Sequence, residues 1–246
     1  MSGFFREIDL LLKKSKKIMI FMGIYLILLI LITFGAFNET PPIEVFIEQA
    51  FKDNGNFIDF NNFILPISFF VIHFVPVFGI SEIFYKDHIE FGTYIMPKFK
   101  SKRQYFLGKI LGASIFNVFI GLLFFSIILL YLSLQGKNDL YLMKGFVRVA
   151  IFYILENILF TNMIFMIALF TKYLFALSVF IINLLIAILS NVRFILGQGS
   201  LIMKQDFYGG EFDLKVNLLF ILIYFIIIIL LLYFLPKYYD YYGREE

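Results

Sequence analysis

The sequence predicts an all-α polytopic membrane protein of six transmembrane helices, with an amphipathic interfacial helix at the N-terminus and a cytoplasmic coupling helix between spans two and three. Three observations carry this expectation. The 246-residue chain is 61% hydrophobic and 16% charged, with 35 Phe and a mean hydropathy of +0.89. A soluble domain is about half apolar and about a quarter charged, so too few polar side chains remain here to cover a water-facing surface. The apolar residues gather in stretches of about 20, the length that crosses a bilayer's hydrocarbon as a helix. The connections are too short to fold as soluble domains, so residues 1–246 read as one transmembrane domain.

Residues 1–17 come first. Phe4, Phe5, Ile8, Leu11 and Leu12 recur at helical spacing, with Arg6, Asp9, Lys13 and Lys16 mainly on the other side. Such a helix is expected to lie in the headgroup plane, its lysines near anionic lipid. A cleaved signal peptide is not expected, because the apolar run that follows is too long and ends in Phe-Gly-Ala-Phe-Asn. Spans are expected at 18–37, 63–84, 110–134, 147–170, 173–195 and 216–235. Before the last of them, FILGQGSLIM (194–203) is semi-apolar and too short to span; it reads as a shallow re-entrant or interfacial piece, or as a loop on the headgroups.

Lys and Arg set the orientation. With the N-terminus inside, the cytoplasmic side collects Arg6, Lys13, Lys14, Lys16, Lys17, the 86–109 cluster, Lys172, Lys237 and Arg244, about twice the number left outside. An even span count then puts both termini in the cytoplasm. Lys137, Lys144 and Arg148 in the third connection fit this rule less well, and the first external loop is acidic through Glu39, Glu44, Glu48, Asp53 and Asp59.

Polar residues inside spans are costly and need a reason. Glu156 lies near the middle of the fourth span beside Asn157. It reads either as a proton or substrate-cation site or as a hydrogen-bonded carboxyl packed against a neighbouring helix. His73, between Pro66 and Pro76, reads as a polar contact at a kink rather than as a metal ligand. Ser114, Asn117 and Gly121 form one small, polar stripe, and Ala176, Asn183, Ala187 and Ser190 another; these mark close helix packing or line a substrate path.

Composition also excludes functions. With no Cys there is no disulfide framework, thiolate metal site or thiol catalysis, and with only His73 and His88 no multi-histidine metal centre is expected. A net charge of +3 is too small for a nucleic-acid binder. No G-x-x-x-x-G-K-[ST], H-E-x-x-H or G-x-S-x-G motif occurs, so the chain is expected to bind no nucleotide and to be no enzyme by itself.

The segment 81–112, SEIFYKDHIEFGTYIMPKFKSKRQYFLGKILG, is the most informative. Glu82, Lys86 and Glu90 at i, i+4, i+8 suggest that the second helix continues into the cytoplasm with paired charges. Gly92-Thr93 is expected to break or bend it and Pro97 to turn it again. An acidic residue, Phe91, Gly92-Thr93, Pro97, then Ser101, Arg103 and Lys109 leading into a span resembles the loop of the ABC-2-type transporter permease family. The six spans, the amphipathic N-terminal helix and the cytoplasmic termini extend the resemblance over nearly the whole chain. Lys102 separates Ser101 from Arg103, where many members of that family have the pair adjacent.

This resemblance implies a permease that works as a pair, as homodimer or heterodimer, each copy engaging a separate ABC ATPase subunit that carries ATP and Mg. The coupling residues would be Glu90, Phe91, Gly92, Thr93, Pro97, Ser101, Arg103 and Lys109. Small members are similar to permeases of phenol-soluble modulin exporters and bacteriocin-immunity pumps, which implies an amphipathic or lipid-like cargo such as a toxic peptide. Heavy use of Phe, Ile, Lys, Asn and Tyr points to an AT-rich bacterial genome and so to a bacterial cell membrane. The competing reading is an ion- or proton-coupled carrier using Glu156; an intramembrane enzyme and a structural anchor have less to support them.

Overall fold

Inside a bilayer each backbone N–H and C=O must find its partner within the same segment, so long apolar stretches become long helices. The computed structural model describes residues 2–34, 42–55, 64–136 and 139–238. Glu39, Asp59, Lys137 and Arg244 lie outside the described residues, as do the side chains of Phe4 and Lys237 and the ends of the expected first and second spans. Eight α-helices form among the described residues: α1 (Ser2–Lys14), α2 (Lys16–Thr33), α3 (Pro42–Ala50), α4 (Ile67–Ile95), α5 (Lys102–Leu134), α6 (Leu140–Phe170), α7 (Tyr173–Leu189) and α8 (Leu214–Tyr238). The only β pairing among them is an isolated bridge between Gln205 and Phe212.

Among the described residues five helices are long and apolar enough to cross a membrane: α2, α4, α5, α6 and α8. The fifth expected span, 173–195, is cut short. α7 has 17 residues, about 26 Å of helix, and ends where Ser190 turns extended. The chain then folds back in three short 3₁₀ turns over 198–208. α6 is the central helix, with 72% of its most apolar window buried against 28% for α2 and 17% for α8. α2 and α8 therefore form the outside of the bundle.

The connection between α4 and α5 differs from expectation. No separate coupling helix forms. α4 runs unbroken through Gly92 and Thr93, the Met96 N–H still bonding to the Gly92 carbonyl, because one glycine costs a helix interior only about 1 kcal/mol. Pro97 sits in a 3₁₀ turn, Met96–Lys98, after which Phe99 is extended. Ser101 then caps α5, its hydroxyl accepting from the Gln104 N–H at 3.2 Å, so that the helix starts eight residues before the apolar run at 110. Glu82 and Lys86 pair at 2.7 Å as the spacing predicts.

α1 packs one edge against the bundle and leaves part of its apolar face outward. Glu7, Leu11 and Ser15 face inward, whereas Phe5 and Leu12 are 64% and 51% exposed. α1 lies so close to α5 that a Cβ on Gly112 would meet the Glu7 Cβ at 3.0 Å. An acid turned inward is invisible to a periodicity argument built on apolar residues alone.

Candidate functional site

Two polar clusters stand out, one at the α1 end of the bundle and one deeper within it. At the α1 end, Lys109 of α5 is fully buried between Glu7 of α1 (3.1 Å) and Asp87 of α4 (2.7 Å). Arg6 completes the network, bonding Asp87 at 2.9 Å and Glu7 at 2.6 Å. The sequence reading grouped Lys109 with the docking loop; its side chain instead ties three helices together and offers no surface. Glu90, Phe91, Pro97, Ser101 and Arg103 are exposed, Thr93 is half-buried and Gly92 is buried. Arg103 stacks over the Tyr233 ring of α8 at 4.4 Å. Tyr94, 72% exposed, stands beside this group and was not singled out from sequence.

The second cluster begins with a proline. Pro76 has no N–H to give the carbonyl of Ile72 four residues earlier. That carbonyl accepts instead from the Tyr153 hydroxyl of α6 at 2.5 Å, with the Asn157 amide at 3.5 Å. The next residue, His73, is fully buried against Phe69, Tyr153 and Phe160. Its Nδ1 lies 2.5 Å from Asn157 Oδ1 and its Nε2 2.7 Å from Ser200 Oγ.

Ser200 arrives on the segment that follows α7. This segment re-enters the bundle as far as Glu156, near the middle of α6. Glu156 Oε1 accepts the backbone N–H groups of Gly197 (3.2 Å) and Gly199 (2.9 Å), and Oε2 lies 2.5 Å from Ser200 Oγ. Gly197 holds φ +106°, a left-handed conformation that glycine adopts without steric cost. Segment 194–203 thus packs into the helix bundle through short 3₁₀ turns.

Side chains pin the segment to the end of α7, whose last carbonyls have no partners within the helix. The Lys204 ammonium donates to Ala187 (2.8 Å), Ile188 (3.1 Å) and Ser190 (2.8 Å), a cation at the negative end of the helix. The Gln198 amide donates to Ser190 at 2.5 Å and the Asn183 amide to Leu196 at 2.6 Å. Gln205 bonds Gln198 and Leu201 through its amide and receives Asn217 of α8 at 2.7 Å. The Lys204 ammonium also lies near the Asp53 carboxylate. Burial pushes the Asp53 carboxyl up, against the Gly55 and Met203 N–H groups from which it accepts at 2.8 and 3.1 Å.

Asn117 serves the α5–α6 seam. Its amide bonds Thr161 at 3.1 Å, and one turn away Asn162 reaches Ser114 at 3.2 Å. The structure thus brings His73 and Glu156 to one site, sends Asn183 to the re-entrant segment that covers it, and leaves Asn117 in a separate helix contact. Sequence reasoning missed Ser200, Gly197, Gly199 and Tyr153. The Ile72 carbonyl orphaned by Pro76 was a signal for a donor, though not for which helix would supply it. Among the described residues no group of three or more His, Asp or Glu is placed to hold a metal ion. A carboxyl, a hydroxyl and an imidazole in series are suited to holding and moving a proton. No protein-family model, curated protein or solved structure matches this chain.

Proposed function

We propose that the chain is the membrane-spanning permease subunit of an ATP-driven exporter in a bacterial cell membrane, with both termini cytoplasmic. It would cross the membrane six times, with α7 and the re-entrant segment together making the fifth passage. It would work with a second permease copy and a separate ABC ATPase that carries ATP and Mg, moving amphipathic or hydrophobic cargo such as toxic or antimicrobial peptides. The observation that carries this reading is the corner between α4 and α5. There Glu90, Phe91, Tyr94, Lys98, Lys100 and Arg103 lie exposed at the ends of two long helices. The buried Asp87–Lys109 pair joins those helices just inside the corner, so a load on the corner reaches both.

Affinity purification in mild detergent from the native host, with mass spectrometry and an ATPase assay, tests the proposal. A stoichiometric ATPase partner is expected. Glu90→Gln is expected to reduce cargo-stimulated ATP hydrolysis about tenfold, the scale of one charge-assisted contact, while the protein still reaches the membrane. A folded, partner-free preparation without ATPase activity would overturn the reading and favour the carrier that uses Glu156.

A further inference from the structure

The hydrogen-bond inventory of the second cluster does not balance without an added proton. Three acceptors converge on Ser200 Oγ: Glu156 Oε2 at 2.5 Å, the Gly197 carbonyl at 3.1 Å and, when His73 carries its hydrogen on Nδ1, His73 Nε2 at 2.7 Å. With the Asn157 amide nitrogen toward the Ile72 carbonyl (3.5 Å) and its Oδ1 toward the imidazole, that hydrogen sits on Nδ1, and the count below is made for this orientation. Ser200 has one hydroxyl hydrogen. With an ionised Glu156 and a neutral His73, at least one close pair would be lone pair against lone pair. All three groups are nearly or fully enclosed, so bulk water cannot relieve the conflict.

One proton resolves it, in either of two arrangements. Placed on Glu156 Oε2, it is donated to Ser200, whose hydrogen turns to His73 Nε2. Placed on His73 Nε2, it is donated to Ser200, whose hydrogen turns to the Glu156 carboxylate. The two arrangements interconvert by passing a proton at each side of the hydroxyl, and no net charge enters or leaves.

We propose that His73, Ser200 and Glu156 form a binding site for a single proton, shared through the Ser200 hydroxyl, and that this proton latches the re-entrant segment 196–205 into the bundle. Its loss leaves acceptors facing one another and releases the segment. Access comes from beside α8. A cavity of about 10 Å³, room for about one water, is lined by buried Glu156 and by exposed Arg193, with Gln198, Asn217 and Tyr224 between them. The Gln198 Oε1 is buried without a hydrogen-bond partner among the described residues.

The other titratable or charged groups near the latch are few. α6 contributes Tyr153, whose hydroxyl is engaged by Ile72, and α8 contributes Tyr224, bonded to the Phe194 carbonyl at 2.7 Å. The segment itself contributes Arg193 at the rim and Lys204, which is turned to the end of α7, with Asp53 of the α3–α4 connection near Lys204. α4 brings only His73, and the described part of α7 facing the segment brings the Asn183 amide. The site is therefore coupled to bulk pH chiefly through its own carboxyl and imidazole.

The test uses the purified full chain in lipid nanodiscs and needs no ATPase, so its failure is separable from failure of the exporter reading. Because the natural sequence has no Cys, a single Leu201→Cys substitution reports on the segment, with Glu211→Cys as the exposed reference. The labelling ratio of the two sites, followed from about pH 5 to about pH 10, spans the range in which carboxyl, imidazole and phenol groups titrate. The ratio is expected to rise about tenfold with pH in a single one-proton transition. In Glu156→Gln the amide supplies the missing hydrogen permanently, so labelling should stay low at every pH. In Ser200→Ala, which keeps both titratable groups, labelling should be high throughout. A ratio that is flat with pH in the natural background, or a transition that survives in Glu156→Gln, overturns the proposal. If Glu156→Gln does not run as a monodisperse species, a pH transition retained in Ser200→Ala overturns it equally.

Discussion

Lys109 shows what one side chain decides. A lysine enclosed by protein persists only when paired, and here two carboxylates hold it, the second negative charge balanced by Arg6. Lys109→Met leaves Glu7 and Asp87 with Arg6 alone between them, and we expect a loss of about 3 kcal/mol of stability, read as a lower melting temperature in detergent. Replacing the set together, as Glu7→Gln, Asp87→Asn and Lys109→Met, should recover much of that loss. If the triple variant is as unstable as the single one, the network contributes no more than its separate side chains. The sequence displayed Lys109 plainly and even marked it as special. Its partners were out of reach, because Glu7 lies 102 residues away and no spacing rule joins a first helix to a fifth.

At the scale of an element, α4 was legible as a helix and half legible as a site. Pro66, His73 and Pro76 announced an interruption within an apolar run, and the interruption proved to be a single orphaned carbonyl rather than a break. We expect Tyr153→Phe to cost about 1–3 kcal/mol in thermal stability, the usual result of leaving a buried acceptor unpaired. In a Pro76→Ala background the restored N–H competes for the same carbonyl, so the cost there should fall by at least half. Equal costs in both backgrounds would mean that the hydroxyl's value lies elsewhere. Helix limits were read less well where apolar periodicity was silent. α5 begins at a serine cap within a polar run, and α7 stops at Ser190 although apolar residues continue to 196. Both limits are set by hydrogen bonds, from the Gln104 N–H in one case and from Lys204 in the other.

For the whole molecule, the open matter is whether α7 and the re-entrant segment together complete a crossing. Lys98 lies after α4 and Glu211 before α8, with α5, α6 and α7 between them. If α7 crosses, Lys98→Cys and Glu211→Cys will be labelled from opposite sides of a sealed vesicle by an impermeant maleimide. Labelling from the same side would mean that α7 turns back, leaving five spans. Composition made the membrane assignment secure without any structural input, because it depends on sums over the chain. The site depended on which distant segments meet, and those meetings are not periodic.

The two polar clusters also imply an order of birth. Asp87 and Lys109 are 22 residues apart on consecutive helices, so the hairpin that carries the lysine emerges from the ribosome with its counter-ion already at hand. Glu156 has His73 of α4 made before it, at 3.8 Å, but not its hydrogen-bond donors. Its donors at Gly197, Gly199 and Ser200 are made 41 to 44 residues later, after the whole of α7. The hydrogen bonds that satisfy Glu156 can therefore form only after α6, α7 and the turn that follows them have all been made.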